Sequence, residues 1–248
     1  MIFDTHAHYD DEQFNEDRET LLSQMQDNGI STIINVGASL QGCHNSVKLA
    51  EKYPFIYATV GVHPDEVGSL NTETFSWLKE QCNHEKVVAV GEIGLDYYWD
   101  NESHDIQQKW FIEQLNLARE KNLPVVIHSR EAAQDTLEII HCFSYSVEMA
   151  KEYVKMGFYI GVGGVVTFKN GKKLKEVVAE IPLDRIVLET DCPYLSPVPN
   201  RSKRNSSLNL KYIVEEIANI KGISSEKVIH QTELNAYEVY QKCIKSIS

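Results

Sequence analysis

Short apolar, β-branched runs recur along the whole chain, at residues 2–5, 32–36, 56–62, 87–90, 125–127, 158–162 and 185–188. Runs this brief and this rich in apolar residues predict buried strands. Between them, residues 14–27, 46–52, 106–121, 146–155 and 172–179 carry apolar positions at three- and four-residue spacing, which predicts helices. Gly29 and Gly157 stand where helices close, and Pro54, Pro124 and Pro182 stand near the entries to following strands. Strands that alternate with helices make a parallel sheet. Seven strands are legible directly and an eighth would close a barrel. The expected class is therefore α/β, a (β/α)8 TIM barrel, formed as one domain over residues 1–248.

The spacing breaks near residue 140. A helix beginning near Glu131 runs through Thr136, Leu137 and Ile140 straight into His141-Cys142-Phe143, which leaves almost no strand before the next helix at Ser146. The sixth-strand region is thus shortened before His141, either by a deletion or by residues left out of the sequence. Loss of a central strand would break a barrel, so the second is expected, and an intact mass well above 28.3 kDa would support it.

Hydrophobic residues at 42% and charged residues at 24% are ordinary globular values. They exclude a collagenous or low-complexity chain. Lys+Arg 24 against Asp+Glu 36 gives a formal charge of -12, so the surface offers no general basic footprint for duplex DNA. The five cysteines are odd in number, scattered and free of CxxC pairs, which argues against a disulfide framework and for a reducing cytoplasm. No stretch is long and apolar enough to span a bilayer, no export leader is visible, and no obligate protein partner is evident.

Metal-capable side chains fall almost entirely at the C-terminal ends of the expected strands, which converge in a parallel barrel. His6 and His8 follow the first strand, and an i, i+2 pair in extended chain points both imidazoles to one face. Glu92, His128, His141 and Asp191 end or follow four later strands. Four imidazoles and two carboxylates around one crevice call for a cation, and six ligands exceed the three that a mononuclear catalytic zinc takes. Two divalent ions roughly 3.5 to 4 Å apart, with Glu92 as the bridging carboxylate, are expected. The mixed donor set accepts Mg, Mn, Zn, Co or Ni.

The motifs Asp4-Thr5-His6-Ala7-His8, Gly61-Val62-His63-Pro64, Gly91-Glu92-Ile93-Gly94-Leu95-Asp96, His128-Ser129-Arg130, His141-Cys142-Phe143-Ser144 and Glu189-Thr190-Asp191-Cys192-Pro193-Tyr194-Leu195 occur in order. With them the chain resembles the TatD-like deoxyribonucleases, from its first residues to Asn235-Ala236. The resemblance implies a TIM barrel of the metal-dependent hydrolase superfamily and metal-dependent hydrolysis of phosphodiesters. It also implies that His6, His8, Glu92, His128, His141 and Asp191 are the metal ligands. The chain departs from the family pattern in the shortened segment before His141, in Tyr145 where glycine is usual, and in Ser206 where an acidic residue is common. Tyr145 would either stack a base or cover the site.

Two cations against Glu92 and Asp191 would make the site about +2 inside a chain of -12. A bound water, its pKa drawn towards about 7, would attack the phosphorus. Asp191 is either the general base or a ligand alone. His63 is expected to contact substrate or to support the ligands from outside. Arg130 suits bidentate phosphate binding, and Arg204, with Arg201 and Lys203, forms a basic loop that either grips phosphate or is a solvated surface. Gly163-Gly164 is either a phosphate cradle or a tight turn. Tyr97, Tyr98 and Trp99 would line a nucleotide cleft, whereas Cys142 and Cys192 fit core packing. The expected substrate is a single-stranded or frayed DNA end or an oligonucleotide. The alternatives are a small-molecule amide, ester or lactone, or a metal-binding protein without turnover.

Overall fold

The structure, a computed structural model, describes residues 1–99, 101–140 and 147–245. Along the first half run β1 (Ile2–Ala7), α1 (Arg18–Ser23), β2 (Ile30–Val36), α2 (Leu40–Lys52), β3 (Ile56–Val60), α3 (Thr72–Gln81), β4 (Val87–Asp96) and α4 (His104–Lys121). They are followed by β5 (Val125–Arg130), α5 (Ala133–Ile140), α6 (Val147–Lys155), β6 (Ile160–Val162), α7 (Lys172–Glu180), β7 (Ile186–Leu188), α8 (Leu210–Lys221), α9 (Ser225–Val239) and α10 (Lys242–Lys245). The class is α/β with the strand and helix alternation of a (β/α)8 chain. Each of the seven apolar runs holds a strand. Residues 141–146, where the eighth was sought, lie outside the described residues.

The chain forms two compact units, one from residues 1–35 with 147–239, the other from 36–140 with 240–245. In the first, β1 pairs with β2 and β6 with β7, both in parallel. Every residue of β1 is buried, as the apolar run required. Helix α9 packs on β1 and β7: Tyr237 meets Phe3 edge-on at 5.2 Å, and buried Asn235 donates to the carbonyls of Leu183 (2.8 Å) and Ile186 (2.7 Å) at the entry to β7. A side-chain amide in this place satisfies two carbonyls that a short strand leaves over.

In the second unit β3, β4 and β5 pair in parallel, with Gly94 opposite His128 and Asp96 opposite Arg130. All ten residues of β4 are buried, the polar ones included. Helix α4 is fastened to this sheet by two fully buried glutamines. Gln114 accepts from Val62 N (2.8 Å) and donates to Val62 O (3.1 Å). Gln107 accepts from Asp96 N (2.9 Å) and donates to the carbonyls of Asp96 and Glu102 (both 3.0 Å). Gln107→Leu would keep the volume and strip the Asp96 backbone of both partners, so a loss of about 2–4 kcal/mol is expected. A lower denaturation midpoint at constant m-value would show it; an unchanged midpoint would show that the amide carries no such weight.

Residues 14–27 do not form the single helix that their spacing predicts. A 3-10 turn at Glu12–Phe14, α1 and a second 3-10 turn at Gln26–Asn28 take its place. Asp11 caps the first turn through Gln13 N, and the Arg18 guanidinium is drawn back onto the carbonyls of Tyr9, Asp10 and Asp11. These local bonds compete with a continuous helical ladder. Helices α3, α8 and α9 lie outside the five stretches singled out by apolar spacing. Asn71 and Thr74 form a capping box at the start of α3, and its lone buried residue is Leu78. Among the described residues no helix is long and apolar enough to cross a membrane.

Candidate metal centre

In the first unit, β1 carries Asp4 and His6 and ends just before His8, all at period two and hence on one face. The Nε2 atoms of His6 and His8 lie 3.1 Å apart, and Asp191 Oδ1 stands 3.8 Å from the first and 3.5 Å from the second. The chain beyond β7 is tied onto β1 to bring this about. The amides of Thr190 and Asp191 both donate to His6 O, His8 N donates to Cys192 O (2.8 Å), and Asp191 sits at φ +55, a conformation that Asp tolerates. Buried Asp4 brackets the junction. Its Oδ1 accepts from the amides of His6 (3.3 Å) and Thr190 (3.1 Å), and its Oδ2 accepts from the hydroxyls of Thr190 (2.8 Å) and Ser207 (2.5 Å). Burial pushes the Asp4 carboxyl up to about 6, against the pull of these bonds. Cys192 is fully buried, as core packing required.

In the second unit, β4 presents Glu92, Gly94 and Asp96 on one face, and β5 presents His128 beside them. His128 Nδ1 lies 3.2 Å from Glu92 Oε1, and Nε2 lies 2.9 Å from Asp96 Oδ2. Burial pulls the His128 pKa down, but the bonds and charges of Glu92 and Asp96 outweigh it and hold it above the ordinary imidazole value. Burial likewise opposes ionisation of Asp96, yet the His128 bond and the amides of Trp99 and Tyr98 leave it below the usual carboxylate range. Asp96 therefore orients the ring from the nitrogen opposite Glu92. The His63 ring, beyond β3, meets the His128 ring at 4.3 Å between centroids.

Ligand atoms of His63, Glu92 and His128 all lie within 4.8 Å of one another, and so do those of His63, Asp65 and Asp96. Burial and the nearby Asp96 push the Asp65 carboxyl up, and Asp65 Oδ1 is buried with no hydrogen-bond partner among the described residues. Imidazoles and carboxylates gathered this closely out of water are satisfied together by a divalent cation, so the donor set fits a metal ion. The sequence pointed to His63 as a substrate or supporting residue, whereas the structure puts it among the candidate donors. Asp4, Asp65 and Asp96 escaped a role altogether, although Asp4 and Asp96 share the period-two face of His6 and Glu92. His141 lies outside the described residues.

The expected substrate residues are less uniform. Arg130 lays its guanidinium over Tyr98 at 4.0 Å and Trp99 at 5.4 Å. Arg204 is held by Asp17 and Gln13 O, with Phe14 under it at 4.5 Å, and Arg201 covers Phe168 at 3.6 Å. Gly164 starts a 3-10 turn, and a Cβ there would stand 2.0 Å from Leu195 O, so close packing of two backbones accounts for this glycine. Tyr97 stacks on His104 at 3.5 Å and donates to Asp135 (2.6 Å), which separates it from Tyr98 and Trp99.

The sequence model of the TatD related DNase family matches residues 3–241. The metal-dependent hydrolase YabD of Bacillus subtilis is 43% identical, with 97% of this chain and 99% of that protein covered. A protein of Pantoea vagans named 3'-5' ssDNA/RNA exonuclease TatD is 33% identical over 97% of this chain and 99% of its own length. Among solved structures, the TatD homologue YJJV of Escherichia coli superposes with a TM-score of 0.90 at 29% identity, covering 97% of this chain and 98% of that one. With imidazole and carboxylate donors at its strand ends and a family match over nearly its whole length, the chain belongs to the TatD related DNase family and is a metal-dependent hydrolase.

Proposed function

We propose that the protein is a divalent-metal phosphodiesterase that removes nucleotides from single-stranded or frayed DNA ends in the cytoplasm. The observation that carries the reading is the close grouping of His63, Glu92 and His128 ligand atoms, with Asp96 fixing the ring from behind. The relative from Pantoea vagans, named as an exonuclease on single-stranded DNA and RNA, supports the substrate class. The proposed ligands of divalent ions are His6, His8, Glu92, His128, His141 and Asp191. Bound ions would supply a water acidified towards about 7 and a positive charge for the phosphate.

The chain's own residues do the rest. Asp4 and Thr190 set the junction that carries His6 and Asp191. Asp191, whose carboxylate faces both imidazoles, takes the proton of the attacking water. Arg130 and Arg204 offer guanidinium groups to the phosphates, Arg204 by exchanging its partner Asp17.

The test follows 3'-labelled and 5'-labelled single-stranded oligonucleotides with chelator-stripped protein given Mg, Mn, Zn, Co or Ni. Metal-dependent shortening that disappears in Asp191→Asn is expected. No cleavage with any of these ions, by protein that nevertheless binds them, would overturn the nuclease reading in favour of a small-molecule amide, ester or lactone.

A further inference from the structure

Beside the His128 cluster the second unit exposes two aromatic rings that the packing of the fold does not use. Tyr98 is 50% exposed and Trp99 56% exposed, against the buried apolar residues of the strand they follow. They meet edge to face at 4.9 Å. The Arg130 guanidinium lies over the Tyr98 ring at 4.0 Å and within 5.4 Å of the Trp99 ring, so that one cation pins both. Their backbone is anchored as well: Asp96 Oδ1 accepts from the amides of Tyr98 (2.9 Å) and Trp99 (3.2 Å). The same carboxylate holds His128 through Oδ2 at 2.9 Å. An exposed, pre-ordered pair of aromatic rings, set edge to face, is thus joined by a single side chain to a proposed metal ligand.

We infer that Tyr98, Trp99 and Arg130 form a stacking platform for one unpaired nucleobase at the end of a strand, which makes single-strandedness a requirement of recognition. The inference rests on the phosphodiesterase reading and gives it a substrate feature. An unstacked base offers a π-face to any aromatic ring without regard to its identity, whereas a base inside a duplex has both faces covered. Arg130 adds a planar cation that serves the base or its phosphate. Tyr97 takes no part, since its ring is committed to His104 and its hydroxyl to Asp135.

The platform is tested with oligonucleotides that differ only in carrying a base or an abasic sugar at the terminal positions. Binding is read by fluorescence anisotropy in EDTA, and shortening is read with metal. The wild-type protein is expected to favour base-bearing ends by roughly 5- to 150-fold in both readouts, the span of one base on one aromatic ring. The double variant Tyr98→Ala/Trp99→Ala is expected to lose most of that preference, and Trp99→Phe to keep most of it. Both rings are exposed, so the double variant is expected to fold, which its circular dichroism checks. Equal handling of the two ends by the wild type, or a preference that survives in the double variant, would overturn the platform and leave hydrolysis standing. Selective binding of base-bearing ends with no cleavage under any metal would overturn the nuclease reading and leave the platform standing.

Discussion

Glu92→Ala is expected to abolish metal-dependent turnover and to lower the content of bound metal while the far-ultraviolet circular dichroism stays unchanged. The loss should exceed the roughly 10- to 100-fold that follows removal of a group which merely supports a metal ligand. The Glu92 amide donates to Gly37 O at 2.7 Å, and alanine keeps that backbone bond. Its carboxylate is nearly buried and faces His128 Nδ1 at 3.2 Å. Without it, Asp96 still holds the His128 ring from Nε2, so the imidazole stays in place and loses the neighbouring negative charge. Burial of an ionised carboxylate is costly, and its removal should leave the melting temperature of the metal-free protein equal or slightly higher. Glu92→Gln separates shape from charge, because it keeps the volume and a carbonyl oxygen but weakens the attraction for a cation. A Glu92→Ala protein with full activity would sink the proposal that this carboxylate binds metal.

How far the amino-acid sequence shows this arrangement depends on which physical signal each part leaves. Strands such as β2 and β3 sit between covered faces and read as apolar runs, so the alternation of strands and helices was visible. The run that marks β4 stops at Val90 because Gly91, Glu92, Gly94 and Asp96 interrupt it, yet the strand continues to Asp96 with every residue buried. Functional polar residues broke the very pattern that locates the strand. The proposed ligands His6, His8, Glu92, His128 and Asp191 could be named from the sequence because their residue types recur at expected strand ends. Asp96 was passed over because its role arises only from the parallel pairing of β4 and β5, which places it two residues beyond Gly94, the register partner of His128, with its carboxylate in reach of that ring. Asp65 lies in a 3-10 turn after β3, where no periodicity signals that its carboxylate turns towards His63. The helix expected at 14–27 failed for a similar reason, since Arg18 bonds to carbonyls seven to nine residues earlier in the chain.

Gly94→Ala is expected to be the most damaging substitution for its size. Gly94 holds φ +147, outside the conformations that an alanine adopts readily. It also stands opposite His128 in the β4 and β5 register, where an added Cβ would lie 1.9 Å from His128 O and 2.9 Å from its carbonyl carbon. These are backbone atoms of a paired strand and cannot swing away as a side chain would. Conformational strain of about 1–3 kcal/mol adds to overpacking of about 1–3 kcal/mol. For a chain of this length the melting temperature should fall by about 5–20 °C. Relief of the clash would part β5 from β4 and draw His128 away from Glu92, so bound metal should fall with stability. Gly29→Ala is the control without the clash: Gly29 has φ +82, in the left-handed region where alanine meets a milder strain, and nothing within 4 Å of an added Cβ. Thermal unfolding of both variants after chelation separates the two causes. If Gly94→Ala melts no lower than Gly29→Ala, the two strands do not approach as closely at His128 as this geometry requires.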